Sequence, residues 1–131
     1  MIETADRIAN RSTRQRRAIR GAFTVADRPL NPNEVLDLAA EQHKGIGIAT
    51  VYRNIKALVE EGWLTPVELP GEPPRYEVAG KEHHHHFHCK RCGKVFELKG
   101  CLPDFKQLAP PGFRVTGHEV LLYGDCKTCT S

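Results

Sequence analysis

Two Cys-x-x-C pairs, Cys89/Cys92 and Cys126/Cys129, stand thirty-three residues apart in this 131-residue chain, and they constrain its fold more than any other feature. Each pair brings two sulfurs onto one tight turn, and four thiolates complete a tetrahedral zinc shell with no position left for a substrate. The cysteine count is odd at five, Cys101 being the fifth. Together with an expected cytoplasmic location, where thiols stay reduced, this favours zinc over disulfides. A structural Zn2+ held by Cys89, Cys92, Cys126 and Cys129 is the first expectation.

The stretch leading into the first pair, Glu82 to Cys92, reads EHHHHFHCKRC and holds five of the seven histidines. An internal run, broken by Phe87 and abutting a zinc knuckle, is not a purification tag. If residues 83 to 88 are extended, successive side chains alternate. His84, His86 and His88 then project from one face, and His83, His85 and Phe87 from the other. One strand thus offers two ligands to each of two sites. Glu77 and Glu97 are candidates to complete the His84/His86 set, and Cys101 and His118 to complete the His83/His85 set.

The first eighty residues contain a single histidine, His43, and no cysteine. Ligand chemistry is therefore confined to the C-terminal part, apart from Glu77. Residues 7 to 28 instead hold seven arginines against one acid, Asp27, although the whole chain carries only +3. A local excess of that kind suits a phosphate backbone. Thr13 is placed to cap a helix from Arg14 to Ala26, with Ile19, Ala22, Phe23 and Ala26 on one face. Asn31-Pro32-Asn33-Glu34 combines a capping residue, proline at the first helical position and Glu three residues after the cap. It predicts a second helix running to about His43. A third, from near Ile48 to Gly62, turns Val51, Ile55, Leu58 and Val59 inward and Ala49, Tyr52, Arg53 and Lys56 outward. A tyrosine and two cations on an outward face make a groove-reading surface. Trp63 to Val67 and Arg75 to Val78 read as strands joined by the turn-rich Pro70-Gly71-Glu72-Pro73-Pro74. Helices followed by a two-stranded hairpin is the order of a winged helix, whose last helix enters the major groove.

Beyond Gly80 the pattern predicts the histidine strand, the knuckle, a strand from Val95 to Leu98, a short helix from about Leu102 to Leu108, and a strand from Arg114 to Tyr123. This small α/β half needs zinc, a partner subunit, or both. The expected class is α+β: a winged-helix DNA-binding domain over residues 1–80 with a hinge at its end, then a metal-binding dimerisation domain over 81–131.

The chain resembles the ferric uptake regulator family of metal-responsive repressors. The resemblance is carried by Thr13-Arg14-Gln15-Arg16, Ala49-Thr50-Val51-Tyr52-Arg53, Tyr76-Glu77-Val78 and His83-His84-His85-His86. Cys89-Lys90-Arg91-Cys92-Gly93-Lys94-Val95, Gly117-His118 and Leu122-Tyr123-Gly124-Asp125-Cys126 complete it. It implies a homodimeric repressor of a palindromic double-stranded operator. DNA would be met by Arg16, Tyr52 and Arg53, with Ala49, Thr50 and Lys56 on the same helix. It implies a regulatory site of Glu77, His84, His86 and an acid at Glu97, and a further site of His83, His85 and His118. Two departures stand out. Leu30 occupies the place of a family hinge histidine, and Cys101 falls where the family has an acidic ligand. A thiol beside three histidines is a softer set, which favours Zn2+ over Fe2+ as the sensed metal, with an iron-responsive or a peroxide-responsive repressor of the same family as the alternatives.

A zinc hydrolase using Glu77 or Glu97 as base would leave Tyr52, Arg53 and the arginine-rich start without a role. A zinc-stabilised adaptor would bind metal but no specific DNA. No apolar run approaches the ~18 residues of a membrane span, and the N-terminus lacks signal-peptide order.

Overall fold

A computed structural model describes residues 2–101 and 105–130, with side chains from residue 10 onward. Three helices come first: α1 (Ile2–Ala26), α2 (Pro32–Gln42) and α3 (Ile48–Glu60). They are followed by strands β1 (Leu64–Val67), β2 (Arg75–Val78), β3 (His84–Cys89) and β4 (Val95–Lys99), a 3-10 turn (Phe105–Leu108), β5 (Leu121–Gly124) and a short α4 (Lys127–Thr130). The chain divides into two compact units, Met1–Gly80 and Lys81–Ser131.

In the first unit α1 begins well before Thr13, which lies inside the helix rather than at its cap. No proline or glycine interrupts residues 2–20, and Ala5, Arg7, Ile8, Ala9 and Arg11 are tolerant of helix, so nothing stops it. The helix ends at Asp27, which takes a left-handed φ of 49° while its N–H bonds the Phe23 carbonyl at 3.0 Å. The predicted capping box forms: the Asn31 side chain accepts from the Glu34 N–H at 2.8 Å, and Glu34 Oε1 accepts from the Asn31 N–H at 3.0 Å. Gly62, at φ 81°, turns α3 into the β1–β2 hairpin, which pairs antiparallel from Leu64↔Val78 to Val67↔Arg75.

The inward faces of the three helices meet in one apolar cluster that includes Ile19, Phe23, Leu30, Val35, Val51, Ile55 and Leu58. Each such side chain, fully buried, contributes about 1.5–3 kcal/mol. Trp63 meets Phe23 edge-on at 6.3 Å, and the Arg20 guanidinium lies over the Trp63 ring at 4.6 Å. Leu30 is fully buried and forms an isolated bridge with Tyr76, a contact no sequence pattern announced.

The second unit is a three-stranded sheet in the order β4-β3-β5, so the histidine strand is its centre. β3 runs antiparallel to β4 and parallel to β5. The predicted strand from Arg114 is shorter than expected, and only Leu121–Gly124 is strand. Its register with β3 begins at His86↔Leu121, and the residues before Val120 lie outside the ladder. His118 thus precedes the strand instead of lying on it. Of the short helix expected from Leu102, Leu102 to Asp104 fall outside the described residues, and Phe105–Leu108 is a 3-10 turn.

Candidate metal centres and nucleic-acid face

Cys89 closes β3, Cys92 sits on the following turn, Cys126 follows β5 and Cys129 lies on α4. The parallel β3–β5 register ends at Cys89↔Gly124, which delivers the two turns to the same edge of the sheet. Gly93, at φ 78°, supplies the left-handed residue that folds the knuckle. The four sulfurs lie within 4.8 Å of one another, and Cys92 and Cys126 are 3.8 Å apart. A zinc tetrahedron with ~2.3 Å arms has edges of about 3.8 Å. The donor set and its spacing therefore fit a structural zinc.

Electrostatics agree. The Cys92 and Cys126 backbone N–H groups point at Cys89 Sγ from 3.4 and 3.3 Å. Those N–H bonds, the one from Cys92 foremost, outweigh burial and pull the Cys89 thiol down to about 6. Cys129 is pushed up to about 12, first by its contact with the Cys126 thiol and then by burial. Crowded sulfurs resist collecting four negative charges, and a divalent cation removes that resistance. Arg91 ties α4 to the knuckle by donating to the Cys129 carbonyl at 3.1 Å.

On one face of β3, His83 and His85 converge with Cys101 and His118, their ligand atoms within 4.8 Å of one another. His83 Nε2 lies 3.2 Å from His85 Nε2 and 3.1 Å from His118 Nε2, while Cys101 Sγ is 2.8 Å from His118 and 3.3 Å from His85. For zinc–nitrogen arms of ~2.0–2.1 Å the tetrahedral edge is about 3.3 Å, so this donor set also suits zinc. Burial first, then the neighbouring His83 and His118, lower the His85 pKa and keep its ring neutral. The Val120 N–H lies 3.2 Å from His85 Nδ1. With Nδ1 accepting, the ring proton sits on Nε2, so holding a metal through Nε2 would require the other tautomer of His85. Phe105 covers His118 at 4.6 Å.

On the opposite face the His84 and His86 rings stand 4.9 Å apart. His84 Nδ1 donates to the Glu82 carbonyl at 2.8 Å, which fixes the tautomer with its lone pair on Nε2, the nitrogen that could ligate a metal. Glu97 lies directly across from His86 in the β3–β4 register, with its carboxylate held by Lys81 Nζ at 2.8 Å. Lys81 carried no signal in the sequence. Glu77 is buried on β2 of the first unit.

Along α3, Ala49, Tyr52, Arg53 and Lys56 are exposed, Tyr52 by 56%. Thr50 is half-buried; its hydroxyl accepts from Arg53 Nη2 at 3.1 Å, which steadies the guanidinium. Ile48, 38% exposed at the start of the helix, extends this face and was missed because isoleucine reads as core. Arg16 is exposed on α1.

The ferric uptake regulator family model matches residues 8–123. The chain belongs to this family. It is 38% identical over 95 residues, 70% of the chain, to the ferric uptake regulation protein of Campylobacter jejuni. That match spans 60% of the relative's own length. A zinc-bound manganese uptake regulator superposes with a TM-score of 0.74 at 27% identity, covering 86% of this chain and 87% of the other. The Helicobacter pylori ferric uptake regulator, described as having three functional metal binding sites, superposes with a TM-score of 0.63 at 27% identity, covering 89% and 80%.

Leu30, at the position where the resemblance places a family histidine, is fully buried in the apolar core. No helix among the described residues is long and apolar enough to cross a membrane.

Proposed function

We propose that this chain is a homodimeric, metal-responsive transcriptional repressor acting in the cytoplasm. Residues 1–80 form its winged-helix DNA-binding domain and 81–131 its dimerisation domain. α3 enters the major groove of a palindromic operator, with Ala49, Thr50, Tyr52, Arg53 and Lys56 toward DNA and Arg16 on the backbone. Cys89, Cys92, Cys126 and Cys129 hold a structural zinc. Glu77, His84, His86 and Glu97 hold the regulatory metal, and His83, His85, Cys101 and His118 a second ion. A bound metal would supply the positive charge that these carboxylates and imidazoles are suited to hold. It can shift the domains only by binding the DNA-competent arrangement more tightly. A coupling of ~1–3 kcal/mol changes operator affinity by about 5- to 150-fold.

Zinc is the metal this reading favours. The supporting observation is the Cys101 thiol, 2.8 Å from His118 and 3.3 Å from His85. A thiolate with three imidazoles selects a borderline-soft tetrahedral ion. The iron reading rests on relatives named ferric uptake regulation proteins. Metal analysis of protein purified from cells, with operator binding titrated against free zinc and against iron(II), separates the two. The zinc reading expects operator binding to saturate at lower free zinc than iron(II) and fails if only iron(II) supports it.

A further inference from the structure

A charged cluster that none of these sites uses grips β2 against the start of α2. Glu34 Oε1 accepts from Arg75 Nη1 at 2.8 Å, and Glu34 Oε2 accepts from Arg28 Nη1 at 3.0 Å. The Arg75 side chain is 9% exposed and that of Glu34 20%. Charge-assisted bonds in such partial burial are stiff, and removing one partner strands the other. Two backbone bonds, Leu30 N–H to Tyr76 O and Tyr76 N–H to Leu30 O, both 2.9 Å, pin the same strand to the turn before α2.

Arg75 and Glu77 are both buried, and their spacing of two puts them on the same face of β2. A displacement of Glu77 along or across the strand therefore carries Arg75 with it, and Arg75 carries Glu34. From Glu34 the path runs down α2, whose Val35 and Ala39 share one core with Val51, Ile55 and Leu58 of α3. Glu77 is also the one proposed ligand before residue 81, and buried Leu30 can supply none. A ligand's pull must enter the first unit through β2.

We propose that Arg75 and Glu34, with Arg28 bracing the second carboxylate oxygen, are positioning residues that transmit the placement of Glu77 to α2 and α3. This rests on the regulatory reading of Glu77, and the test separates the two. A duplex selected from random sequence by the metal-loaded protein is titrated with and without zinc, and with and without iron(II). Metal affinity is measured with and without the same duplex. Glu34→Gln keeps the capping bond to Asn31, since glutamine serves at that position, but gives up the ion pairs. It is expected to retain metal content and metal-free duplex affinity while losing at least ~5-fold of the metal-induced gain, with an equal loss in the duplex-induced gain in metal affinity. Arg75→Lys keeps the charge without the planar guanidinium and should lose coupling in the same sense. It decides the matter if Glu34→Gln does not fold. Equal loss of duplex affinity with and without metal would show the cluster to be a fold brace only and overturn the relay. Wild-type affinity that ignores both metals would overturn the regulatory reading and the relay with it.

Discussion

The apolar cluster of the first unit gathers twelve buried residues between Ala18 and Leu64. In the second unit the buried hydrophobic residues among those described are Cys89 and Val95, accompanied by buried His85 and His88. Leu108, Phe113, Leu122 and Tyr123 remain 79%, 71%, 49% and 51% exposed. Three helices and a hairpin can thus enclose an apolar core, while a sheet of three short strands does not. Two of its four buried residues, His85 and Cys89, belong to ligand clusters, and its uncovered apolar surface suits the second copy proposed above. One unit is held by burial and the other by chelation.

The largest effect should come from breaking the chelation. Cys126→Ser is expected to release about one zinc per chain and dissociate the dimer, since apparent zinc binding in such sites reaches ~10–16 kcal/mol. Trp63, the single tryptophan, lies beside Phe23 in the first unit, so its emission should stay native. Metal analysis, sedimentation and fluorescence check the three parts. A zinc-free dimer would sink the idea.

The converse substitution is Phe23→Ala, which opens a cavity where the side chain is 1% exposed. It should cost about 3–5 kcal/mol of stability in the first unit. Denaturant titration followed by Trp63 should shift while zinc content and dimerisation hold. If zinc is lost along the same curve, the two units do not unfold separately and the contrast fails.

The alternation of polar and apolar residues made the first unit readable, down to the capping box at Asn31 and Glu34. Apolar periodicity is a local record of a core. The second unit was legible for another reason: Cys-x-x-C spacing and strand alternation are also local, so the grouping of the four cysteines, and of His83 and His85 with Cys101 and His118, could be proposed before the structure. Long-range pairings left no such mark. Nothing in the sequence indicates that Arg75 reaches Glu34 across forty-one residues, that Leu30 pairs with Tyr76, or that Lys81 takes the Glu97 carboxylate. The final strand was overestimated because its pattern extends to Arg114, whereas pairing with β3 begins only at Leu121.

A smaller effect tests chelation from within. Replacing His84 and His86 by alanine should remove about one metal per chain and the metal-induced gain in operator affinity, a 5- to 150-fold change by the coupling of ~1–3 kcal/mol. Replacing His83 and His85 should remove a different ion and the thiolate-to-cobalt absorption given by Cys101 in cobalt-substituted protein. Losses should add when both pairs are changed, as independent sites require. Depletion of the same ion by both pairs would refute the two-faced strand.

The smallest effect asks where burial ends and DNA binding begins on α1. Arg20 belongs to the arginine-rich segment, yet its guanidinium lies 4.6 Å over the Trp63 ring, whose edge meets Phe23. A cation held on an aromatic face at a partly exposed site contributes about 0.5–1 kcal/mol. Arg20→Ala should therefore lower the stability of the first unit by roughly that amount and blue- or red-shift Trp63 emission. The salt dependence of operator binding should not change, because Arg20 neutralises no phosphate. Arg53→Ala should do the reverse: unchanged folding, with a loss of ~1–3 kcal/mol in operator affinity or a salt slope smaller by about one. If Arg20→Ala also flattens the salt slope, the stacked arginine leaves Trp63 for the DNA backbone, and the basic face of α1 extends further toward the core than the described packing allows.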